Sequence, residues 1–424
     1  MRVRFATLGC RVNQVESQGL ARLFEEQGDT VVSGGAADVV VVNSCTVTAE
    51  ADRKTRQTVR RLRREYPSAV IVLTGCYPQA SPEAAAALPE ADLVTGTADR
   101  SGLPSLVREY FDGRPRRAAV EPHRAKETFE TLDAPRFDAR FQKAYLKVED
   151  GCDRYCSYCI IPTARGRVRS GLPADVTRRA AELVKNGYRE IVLTGINLSR
   201  YGAEWGGSLA DAAEAVNVVE GDFRIRLGSV EPDLLTLRDW ERLAACEKLC
   251  PHFHLALQSG CDATLSRMNR RYTTAQYRKT VETARRLFPA ASVTTDLIVG
   301  FPGETREEFD TTSDFVRPLG LLRAHIFVYS PRPGTPAAAM PGRVDGQEAR
   351  RRARVLADIA AESAAAWAET QLGRCVRVLA EADGTGSADD SLEVILPDGC
   401  TPGELFFMRL TGREKARCTG IRIE

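Results

Sequence analysis

Histidine is scarce in this chain, at 4 of 424 residues. Long apolar runs are also absent, since no stretch approaches the ~18 apolar residues of a transmembrane helix. The N-terminal segment MRVRFATLGCRVNQ lacks the apolar core and small-residue cleavage site of a secretory signal. Neither sign of charge dominates, with 59 Lys plus Arg against 57 Asp plus Glu. We therefore expect a cytoplasmic protein that does not contact membranes, with any nucleic-acid affinity confined to local patches.

Cysteine, in contrast, is plentiful, with 12 residues, and in a cytoplasmic protein this is more typical of metal binding or catalysis than of disulfides. The stretch GCDRYCSYCIIP places Cys152, Cys156 and Cys159 in C-x3-C-x2-C spacing. A structural zinc site takes four ligands, usually from two C-x2-C halves, and one half is missing here. Three thiolates suit a [4Fe–4S] cluster with one iron open to a small chelating substrate. We predict such a cluster, with zinc or structural thiols as the alternatives.

Three apolar runs near the N-terminus each end in a cysteine. They are RVRFATLGC, ADVVVVNSC and AVIVLTGC, which end at Cys10, Cys45 and Cys76, and helix-like stretches follow the first two. Strands alternating with helices predict a parallel sheet, in which the carboxyl ends of the strands share one edge where ligands bind. We therefore expect these three thiols to meet as one ligand set. Three separately buried structural thiols are the alternative.

The rest of the chain divides by its pattern. We predict an N-terminal parallel-sheet domain over 1–112, followed by a linker over 113–140 that contains several prolines and many charges. Six strand candidates between 141 and 366, with helical stretches between several of them, predict a partial (β/α)6 barrel with its site at the strands' carboxyl ends. Short strands separated by turns over 367–424 predict a small β-barrel. The expected fold class is therefore α/β, closed by a small all-β domain.

The cysteine spacing and its place at the start of the barrel resemble the radical S-adenosylmethionine (SAM) superfamily. LTGIN at 193–197, LQSG at 257–260 and TTDLIVGFPGET at 294–305 match further motifs of that superfamily. The resemblance implies that SAM chelates the open iron and that one electron from the cluster cleaves it to a 5′-deoxyadenosyl radical. It also implies cofactor contacts by Tyr158 beside the cluster, Gly195 and Asn197 near the methionine amino group, Gln258 near the ribose, and Ile298 and Val299 at the adenine.

Ser229 and Glu231 lie just past the third barrel strand and are candidates for SAM or substrate contact by position. For these two residues a helix N-cap role is the alternative. A loop or core role is the alternative for each of the other predicted SAM contacts.

The N-terminal segments narrow the family. TLGCRVNQVES, VVNSCTVTAEADRKTRQ and TGCYPQ resemble the N-terminal domain of the methylthiotransferases, in which the matching cysteines hold a second [4Fe–4S] cluster. The tail resembles the TRAM domain, an RNA-binding β-barrel. GCRVNQVES, LTGINLSRYG, RLGSVEP and HFHLALQSG are similar to the branch that modifies threonylcarbamoyladenosine in tRNA. The alternatives are methylthiolation of isopentenyladenosine in tRNA or of an aspartate in a ribosomal protein, and, third, a non-catalytic iron–sulfur protein that binds RNA.

The resemblance implies tRNA as a partner, together with a sulfur source and an electron donor such as flavodoxin or ferredoxin. The threonylcarbamoyl group carries a carboxylate, so we expect donors or cations in the pocket, with Asn197, Arg200 and Arg332 as candidates.

Two basic stretches, 53–64 and 267–286, are candidates for RNA contact, and the second contains Tyr272 and Tyr277. The tail from Trp367 onward has more acidic than basic residues, which is unusual for an RNA-binding barrel. Of the adjacent Phe406 and Phe407, we expect one to be a core residue, since neighbours in a strand face opposite ways.

Overall fold

A computed structural model of the protein describes residues 1–114, 117–124, 127–132 and 142–423. The chain forms two compact units. The first comprises Met1–Arg136, Glu149–Gly171 and Ser330–Ala338, and the second comprises Phe137–Val148, Leu172–Tyr329 and Ala339–Glu424. The loop that carries the second cysteine trio thus folds with the N-terminal sheet, so the first unit is made of segments that are not contiguous in the sequence. Among the described residues, no helix is both long and apolar enough to span a membrane.

The first unit is built on a six-stranded parallel sheet. In sheet order its strands are Thr30–Val32, Arg2–Thr7, Val39–Ser44, Val70–Gly75, Leu93–Thr95 and Arg117–Ala119. The two central strands, VVVVNS and VIVLTG, are buried at every position, as expected where both faces of a parallel sheet are covered. The helices of this unit are Arg11–Glu26, Ala49–Glu65, Cys76–Ala80, Pro82–Ala86 and Leu103–Phe111, with a 3-10 turn at Arg100–Gly102. The predicted N-terminal parallel sheet is confirmed.

The segment that carries the second cysteine trio adds little regular structure to this unit. It contains the short helix Ile161–Arg165 and a two-residue antiparallel ladder between Glu149–Asp150 and Arg169–Ser170.

The helix Ala49–Glu65, which follows the second cysteine-ended strand, has clear start and stop signals. The hydroxyl of Thr48 accepts a hydrogen bond from the Ala51 amide at 3.1 Å, which caps the first turn. Acidic side chains lie in the first turn and basic ones in the last, so both ends complement the helix dipole. Its buried face, which includes Val59 and Leu62, packs into the apolar core beside the central strands.

The predicted linker contains one element that the sequence did not indicate. The strand Arg117–Ala119 pairs in parallel with Leu93–Thr95 and extends the sheet at its edge. Three residues are too short to show an alternating pattern, which explains why it was not predicted. Residues 115–116, 125–126 and 133–140 of that linker lie outside the described residues.

The second unit contains a partial barrel of parallel strands. One sheet has the order Arg224–Leu227, Glu190–Thr194 and Ala144–Lys147, and the other has Ser229–Val230, His252–Leu255, Ser292–Val299 and Arg323–Val328. All six predicted barrel strands are therefore present, as the sequence led us to expect. The helices are Pro173–Lys185, Leu209–Asn217, Leu237–Ala244, Asp262–Arg267, Thr274–Leu287, Arg306–Val316 and Gly346–Thr370, with 3-10 turns at Leu198–Arg200 and Arg317–Leu319. The 3-10 turn Pro336–Ala339 belongs, except for its last residue, to the first unit.

The C-terminal segment forms a closed five-stranded barrel, which confirms the predicted fold class. Its strands, in order around the barrel, are Cys375–Ala380, Thr385–Ala388, Glu393–Ile395, Arg417–Ile423 and Leu405–Glu414. Phe406 is buried with 6% of its surface exposed, whereas Phe407 is 55% exposed. One of the pair is therefore a core residue, as expected, and the other lies on the surface.

A buried ionic cluster ties this small barrel to the partial barrel within the second unit. Glu190, with no exposed side-chain surface, lies 2.7 Å from Arg224 and 3.1 Å from Arg226. Arg224 also pairs with Asp389 at 2.7 Å, and Arg226 donates to the Ser391 hydroxyl at 2.6 Å. Burial alone would raise the pKa of Glu190, but the two guanidinium groups outweigh it and hold that pKa well below its usual range.

Replacing Glu190 by glutamine is expected to destabilise the protein by about 3–5 kcal/mol, because two buried guanidinium groups would lose their shared carboxylate. Since the folded pKa is depressed, this stabilisation is present above about pH 4.3 and is lost as the pH falls through the folded value. Urea unfolding at neutral pH measures the loss. The exposed Glu220→Gln is the matched control and should change stability by less than about 0.5 kcal/mol; equal effects of the two variants would contradict the assignment.

Candidate functional site

The cysteines of the N-terminal trio follow three neighbouring strands at the same level. Ser44 pairs with Gly75, so Cys45 and Cys76 come directly after register-matched positions. Thr7 pairs with Asn43, and Cys10 follows Thr7 after the two residues Leu8 and Gly9. Cys10 is exposed, whereas Cys45 and Cys76 are buried. Burial raises the pKa of Cys76 to about 12; Arg165 opposes this shift, and the nearby thiols of Cys10 and Cys45 add to it. The three thiols are thus electrostatic neighbours at the carboxyl edge of the sheet.

A buried asparagine connects the loops that carry these cysteines. The amide nitrogen of Asn13 donates to the carbonyl of Leu8 at 2.9 Å and to that of Ser44 at 2.8 Å. These two loops precede Cys10 and Cys45. The Ser44 hydroxyl in turn donates to the Thr74 carbonyl at 2.6 Å. The hydrogen bonds therefore fix the spacing of all three strand ends.

Two glycines make the close approach of these loops possible. Gly9 and Gly75, each directly before a cysteine of the trio, have φ of 106° and 99°, a region in which glycine alone is unstrained. A Cβ on Gly9 would lie 2.5 Å from the Cβ of Cys45, and one on Gly75 would lie 2.7 Å from the Ser44 carbonyl oxygen. Any larger residue would push the cysteine loops apart.

A buried arginine from the second cysteine loop contacts the first trio. Arg165, which ends the helix Ile161–Arg165, has no exposed side-chain surface. Its Nε donates to the Cys76 sulfur at 3.1 Å, its Nη2 donates to Asn13 Oδ1 at 2.8 Å, and its Nη1 pairs with Glu16 at 2.5 Å. Arg100 pairs with the same Glu16 carboxylate. The guanidinium is thereby held on several sides, with one N–H directed at a cysteine sulfur.

The second trio lies on an irregular loop in the same compact unit. Cys156 is buried, whereas Cys152 and Cys159 are partly exposed. The Cys152 amide donates to the carbonyl of Gly166 at 3.0 Å, and the Cys159 amide donates to that of Cys156 at 3.0 Å. Tyr158, between two of the cysteines, is partly exposed. Backbone hydrogen bonds therefore fold this loop back on itself and bring the motif together.

Among the described residues, neither cysteine trio brings its three sulfurs close enough together to bind one metal ion directly. One zinc would hold its thiolates at 2.3 Å each, so their sulfurs would lie within about 4 Å of one another. Across the described ranges, the one group that brings three ligand atoms within 4.8 Å of each other is His254, Asp296 and His325. Neither cysteine trio is packed that tightly. Three thiolates are instead the donor set of a [4Fe–4S] cluster, in which each thiolate binds a different iron.

The other predicted cofactor contacts belong to the second unit. Gly195 and Asn197 follow the strand Glu190–Thr194 and come just before the turn Leu198–Arg200; Asn197 is buried. Ile298 is partly exposed, whereas Val299 is buried on the opposite face of the strand Ser292–Val299. These residues lie at the carboxyl ends of the strands, where a parallel barrel places its site.

Gln258 has an unusual backbone conformation, with φ of 65°. Its amide donates to the Asp296 carbonyl at 2.8 Å, and its carbonyl accepts from the Ile298 amide at 2.9 Å. Non-glycine residues are uncommon in this region of backbone conformation. The backbone of Gln258 is thus fixed beside the predicted adenine contact.

Ser229 and Glu231 surround the end of the third barrel strand. Ser229 is exposed. The Glu231 carboxylate pairs with Arg270, and its amide donates to the Ser199 hydroxyl at 2.8 Å. Glu231 is therefore oriented by an ion pair, and its contact with SAM or substrate stays a prediction.

Other residues that we predicted to contact the substrate or RNA are buried or paired within the protein. Arg332 is buried and pairs with Asp52 at 2.7 Å, so it is not available to a substrate carboxylate. Tyr272 and Tyr277 are also buried and cannot stack on bases. In the basic stretch 53–64, several arginines pair with acidic side chains, among them Arg53–Glu50, Arg60–Glu90, Arg61–Glu65 and Arg63–Asp92.

Comparison with known proteins first defines the class. Residues 146–316 match the model of the radical SAM superfamily, and residues 2–96 match that of the uncharacterized protein family UPF0004. The fold is similar to that of TsrM, a radical SAM methyltransferase from Kitasatospora setae, with a TM-score of 0.60, 16% identity, and coverage of 80% of this chain and 77% of that one. The protein is thus a radical SAM enzyme.

The relatives narrow this class further. The threonylcarbamoyladenosine tRNA methylthiotransferase MtaB of Thermotoga maritima is 39% identical over 89% of this chain and 86% of its own length. MtaB of Bacillus subtilis is 41% identical over 81% of this chain and 76% of its own. The tRNA-2-methylthio-N(6)-dimethylallyladenosine synthase of Pelotomaculum thermopropionicum is 33% identical over 99% of this chain and 97% of its own. The chain belongs to the methylthiotransferase family of radical SAM enzymes, whose cofactors are SAM and [4Fe–4S] clusters, as predicted.

Sequence reasoning did not find the residues that support the N-terminal trio. Asn13, Glu16, Arg100 and Arg165 are all buried polar residues. The available signal was the spacing of Asn13 and Glu16, three residues apart and so on one face of the helix after Cys10. Their partners, Arg100 and Arg165, are too distant in sequence for any local pattern to indicate.

Proposed function

We propose that the chain methylthiolates N6-threonylcarbamoyladenosine beside the anticodon of tRNA and yields its 2-methylthio derivative. Four relatives named for that substrate, at 34–41% identity, support this choice. Relatives named for dimethylallyladenosine reach 33–38%, so overall identity separates the two substrates weakly. The segments GCRVNQ, LTGINL and GSVEP, which resemble the first branch, are the additional support.

The observation that carries the reaction class is the presence of two cysteine trios in one compact unit, with Arg165 of the second loop 3.1 Å from the sulfur of Cys76. In the proposed assignment Cys152, Cys156 and Cys159 hold the cluster that binds SAM. Cys10, Cys45 and Cys76 hold a second [4Fe–4S] cluster. When bound, the first cluster supplies the electron that cleaves SAM and the second carries the sulfur to be transferred.

The chain's own residues bind and orient in this scheme. The target is an aromatic C–H of adenine, which is neither acidic nor electrophilic enough for acid–base or nucleophilic catalysis, so no catalytic triad is needed. Asn13 and Arg165 hold the loops of the N-terminal trio, and burial of Cys45 and Cys76 keeps water from two of the ligands. Tyr158, Gly195, Asn197, Ser229, Glu231, Gln258, Ile298 and Val299 are the proposed contacts for SAM or substrate.

The reaction also needs partners beyond the chain. We assign tRNA as the substrate, a reduced flavodoxin or ferredoxin as the electron donor, and a separate source of sulfur. The apolar ring of Phe407 and the surrounding face of the small barrel offer a stacking surface for RNA, although the barrel's acidic residues make it a weak electrostatic partner.

The substrate is tested with the purified, anaerobically reconstituted enzyme. Anticodon stem-loops carrying threonylcarbamoyladenosine, isopentenyladenosine or unmodified adenosine are offered separately, and nucleosides are analysed by mass spectrometry. We expect the 2-methylthio product from the first RNA alone. Product from the isopentenyl RNA alone would move the protein to the neighbouring branch and leave the cluster assignment intact.

The cluster assignment is tested by iron counting and Mössbauer spectroscopy of the same preparation. We expect about eight irons per chain, from two four-iron clusters with three cysteine ligands each. A fully reconstituted enzyme with about four irons would contradict the second cluster.

A further inference from the structure

The interior of the partial barrel holds a group of polar side chains that have no role in the proposed iron–sulfur and SAM sites. In the two last strands Thr294 pairs with Arg323, Asp296 with His325, and Ile298 with Phe327. In-register residues of parallel strands point to the same side of the sheet. The alternate residues Thr295, Leu297 and Val299 are buried on the other side. These three pairs therefore share the open, inner face of the barrel.

Two histidines and one carboxylate converge at the middle of this face. His254 Nε2 lies 3.2 Å from Asp296 Oδ2, and the rings of His254 and His325 are 5.9 Å apart. One ring nitrogen or carboxylate oxygen from each of the three residues lies within 4.8 Å of the others. Asp296 keeps 27% of its side chain exposed, so the cluster opens into the interior.

The residues behind the cluster hold it in position. His254 Nδ1 lies 3.0 Å from the Thr294 hydroxyl, which lies 3.1 Å from His252 Nε2. Burial lowers the pKa of His252 well below its usual value, and Arg226 and the other positive neighbours add to this shift. His252 is therefore neutral and acts as a fixed hydrogen-bond partner. The chain His252–Thr294–His254 sets the orientation of the His254 ring toward Asp296.

An unpaired cation and an exposed ring complete the face. Arg323 lies two residues before His325 on the same face, about 6.6 Å along the strand, and makes no hydrogen bond or ion pair with any residue that the structure describes. Phe327, two residues beyond His325, is 48% exposed. The face thus offers a cation, an imidazole and an apolar ring in order along the strand Arg323–Val328, with the carboxylate of Asp296 and the imidazole of His254 on the two neighbouring strands.

Building on the proposed function, we propose that Arg323, His325, His254 and Asp296 form the site that recognises the threonylcarbamoyl group of the substrate base. Arg323 matches the carboxylate of that group, since charge-assisted hydrogen bonds from cations to carboxylates are the strong ones, and a ring N–H of His325 can donate to the same carboxylate. The Asp296 carboxylate matches its hydroxyl and urea-like N–H groups as an acceptor. Phe327 supplies an apolar surface for the attached purine.

The same residues discriminate against the apolar substituent. An isopentenyl group entering this face would bury the cluster without satisfying any of its hydrogen bonds, and unpaired buried polar groups are costly. A site built to hydrogen-bond a substrate rejects an analogue that lacks the matching groups far more strongly than an apolar pocket rejects a polar one. Selection of the substrate would then lie in the barrel interior of the second unit.

The test uses the reconstituted holoenzyme and the same three stem-loop RNAs, with His325→Ala, Arg323→Ala and the conservative Asp296→Asn. Loss of one charge-assisted hydrogen bond should raise the KM for the threonylcarbamoyl RNA by about 10- to 100-fold. Affinity for the unmodified RNA, iron content and uncoupled SAM cleavage should stay unchanged. Arg306→Ala, a 79%-exposed arginine on an outer helix, is the matched control and should behave as wild type.

Three outcomes would overturn this assignment. The first is an unchanged KM for the threonylcarbamoyl RNA in all three variants. The second is an equal loss of affinity for the unmodified RNA, which would indicate a general effect. The third is a stoichiometric divalent ion, in excess of cluster iron, that disappears in His325→Ala, which would make the cluster a metal site. A wild-type enzyme inactive on the threonylcarbamoyl RNA would instead refute the proposed function.

Discussion

Replacing Cys152, Cys156 and Cys159 together by alanine is expected to abolish SAM cleavage, with 5′-deoxyadenosine falling to background. Replacing Cys10, Cys45 and Cys76 should spare SAM cleavage while stopping methylthiolation, because the two trios are assigned different tasks. Reconstituted proteins are assayed for 5′-deoxyadenosine and for the methylthio nucleoside in parallel. Each triple variant should retain about four irons, as expected for one remaining four-iron cluster.

The exposed Cys375, which belongs to neither trio, provides the control. Cys375→Ala should retain both activities and the full iron content. Methylthio product from a correctly folded Cys10/Cys45/Cys76 variant would refute the division of roles, and so would SAM cleavage by the Cys152/Cys156/Cys159 variant.

Replacing Arg165 by alanine is expected to have the second large effect. The substitution removes a fully buried cation that pairs with Glu16 at 2.5 Å. Breaking a buried ion pair from one side typically costs about 3–5 kcal/mol, and Arg100 still pairs with Glu16, so we expect the lower end of that range. The Cys76 sulfur also loses its N–H donor, and hydrogen bonds to cluster sulfurs help set the reduction potential.

Urea unfolding and an EPR redox titration separate these two consequences of the Arg165 change. Arg165→Lys keeps the charge but cannot reproduce the fork that reaches Cys76, Asn13 and Glu16 together. It should therefore recover part of the stability while the potential of the N-terminal cluster stays lower than in the wild type. Arg61→Ala, which removes an exposed ion pair with Glu65, is the control and should change neither quantity measurably. Wild-type stability and potential in Arg165→Ala would exclude the assigned role.

Much of the architecture could be predicted because buried parallel strands have a recognisable sequence pattern, a run of apolar residues. VVVVNS and VIVLTG are continuous apolar runs, and the six barrel strands alternate with helices long enough to recognise. The missed strands Thr30–Val32, Leu93–Thr95 and Arg117–Ala119 have three residues each. At that length neither an apolar run nor an alternation can form, so their pairing depends on the sheet that is already present.

The candidate site was predictable where its cysteines follow a local spacing or end neighbouring strands of a predicted sheet. Cysteine spacing identifies a ligand set because the ligands themselves form the pattern. Asn13 and Glu16, in contrast, have the composition of an exposed helix face, and they are buried because Arg100 and Arg165 reach them from distant parts of the chain. Arg332 was wrongly predicted to contact the substrate for the same reason. Its buried ion pair with Asp52 depends on a residue far away in the sequence, and no neighbouring residue indicates it.

The contact between Arg165 and the N-terminal trio has a consequence for the order of biosynthesis. Synthesis runs from the N-terminus, and domains generally fold as they emerge. Cys10, Cys45, Cys76 and Glu16 leave the ribosome well before Arg165, the cation that pairs with Glu16 and donates to Cys76. The nascent N-terminal sheet therefore lacks this buried cation until more than fifty residues beyond Asp112 have been synthesised. Arg165 follows the Cys152, Cys156 and Cys159 motif in the chain, so the polar surroundings of the N-terminal trio are completed only after that motif has been translated.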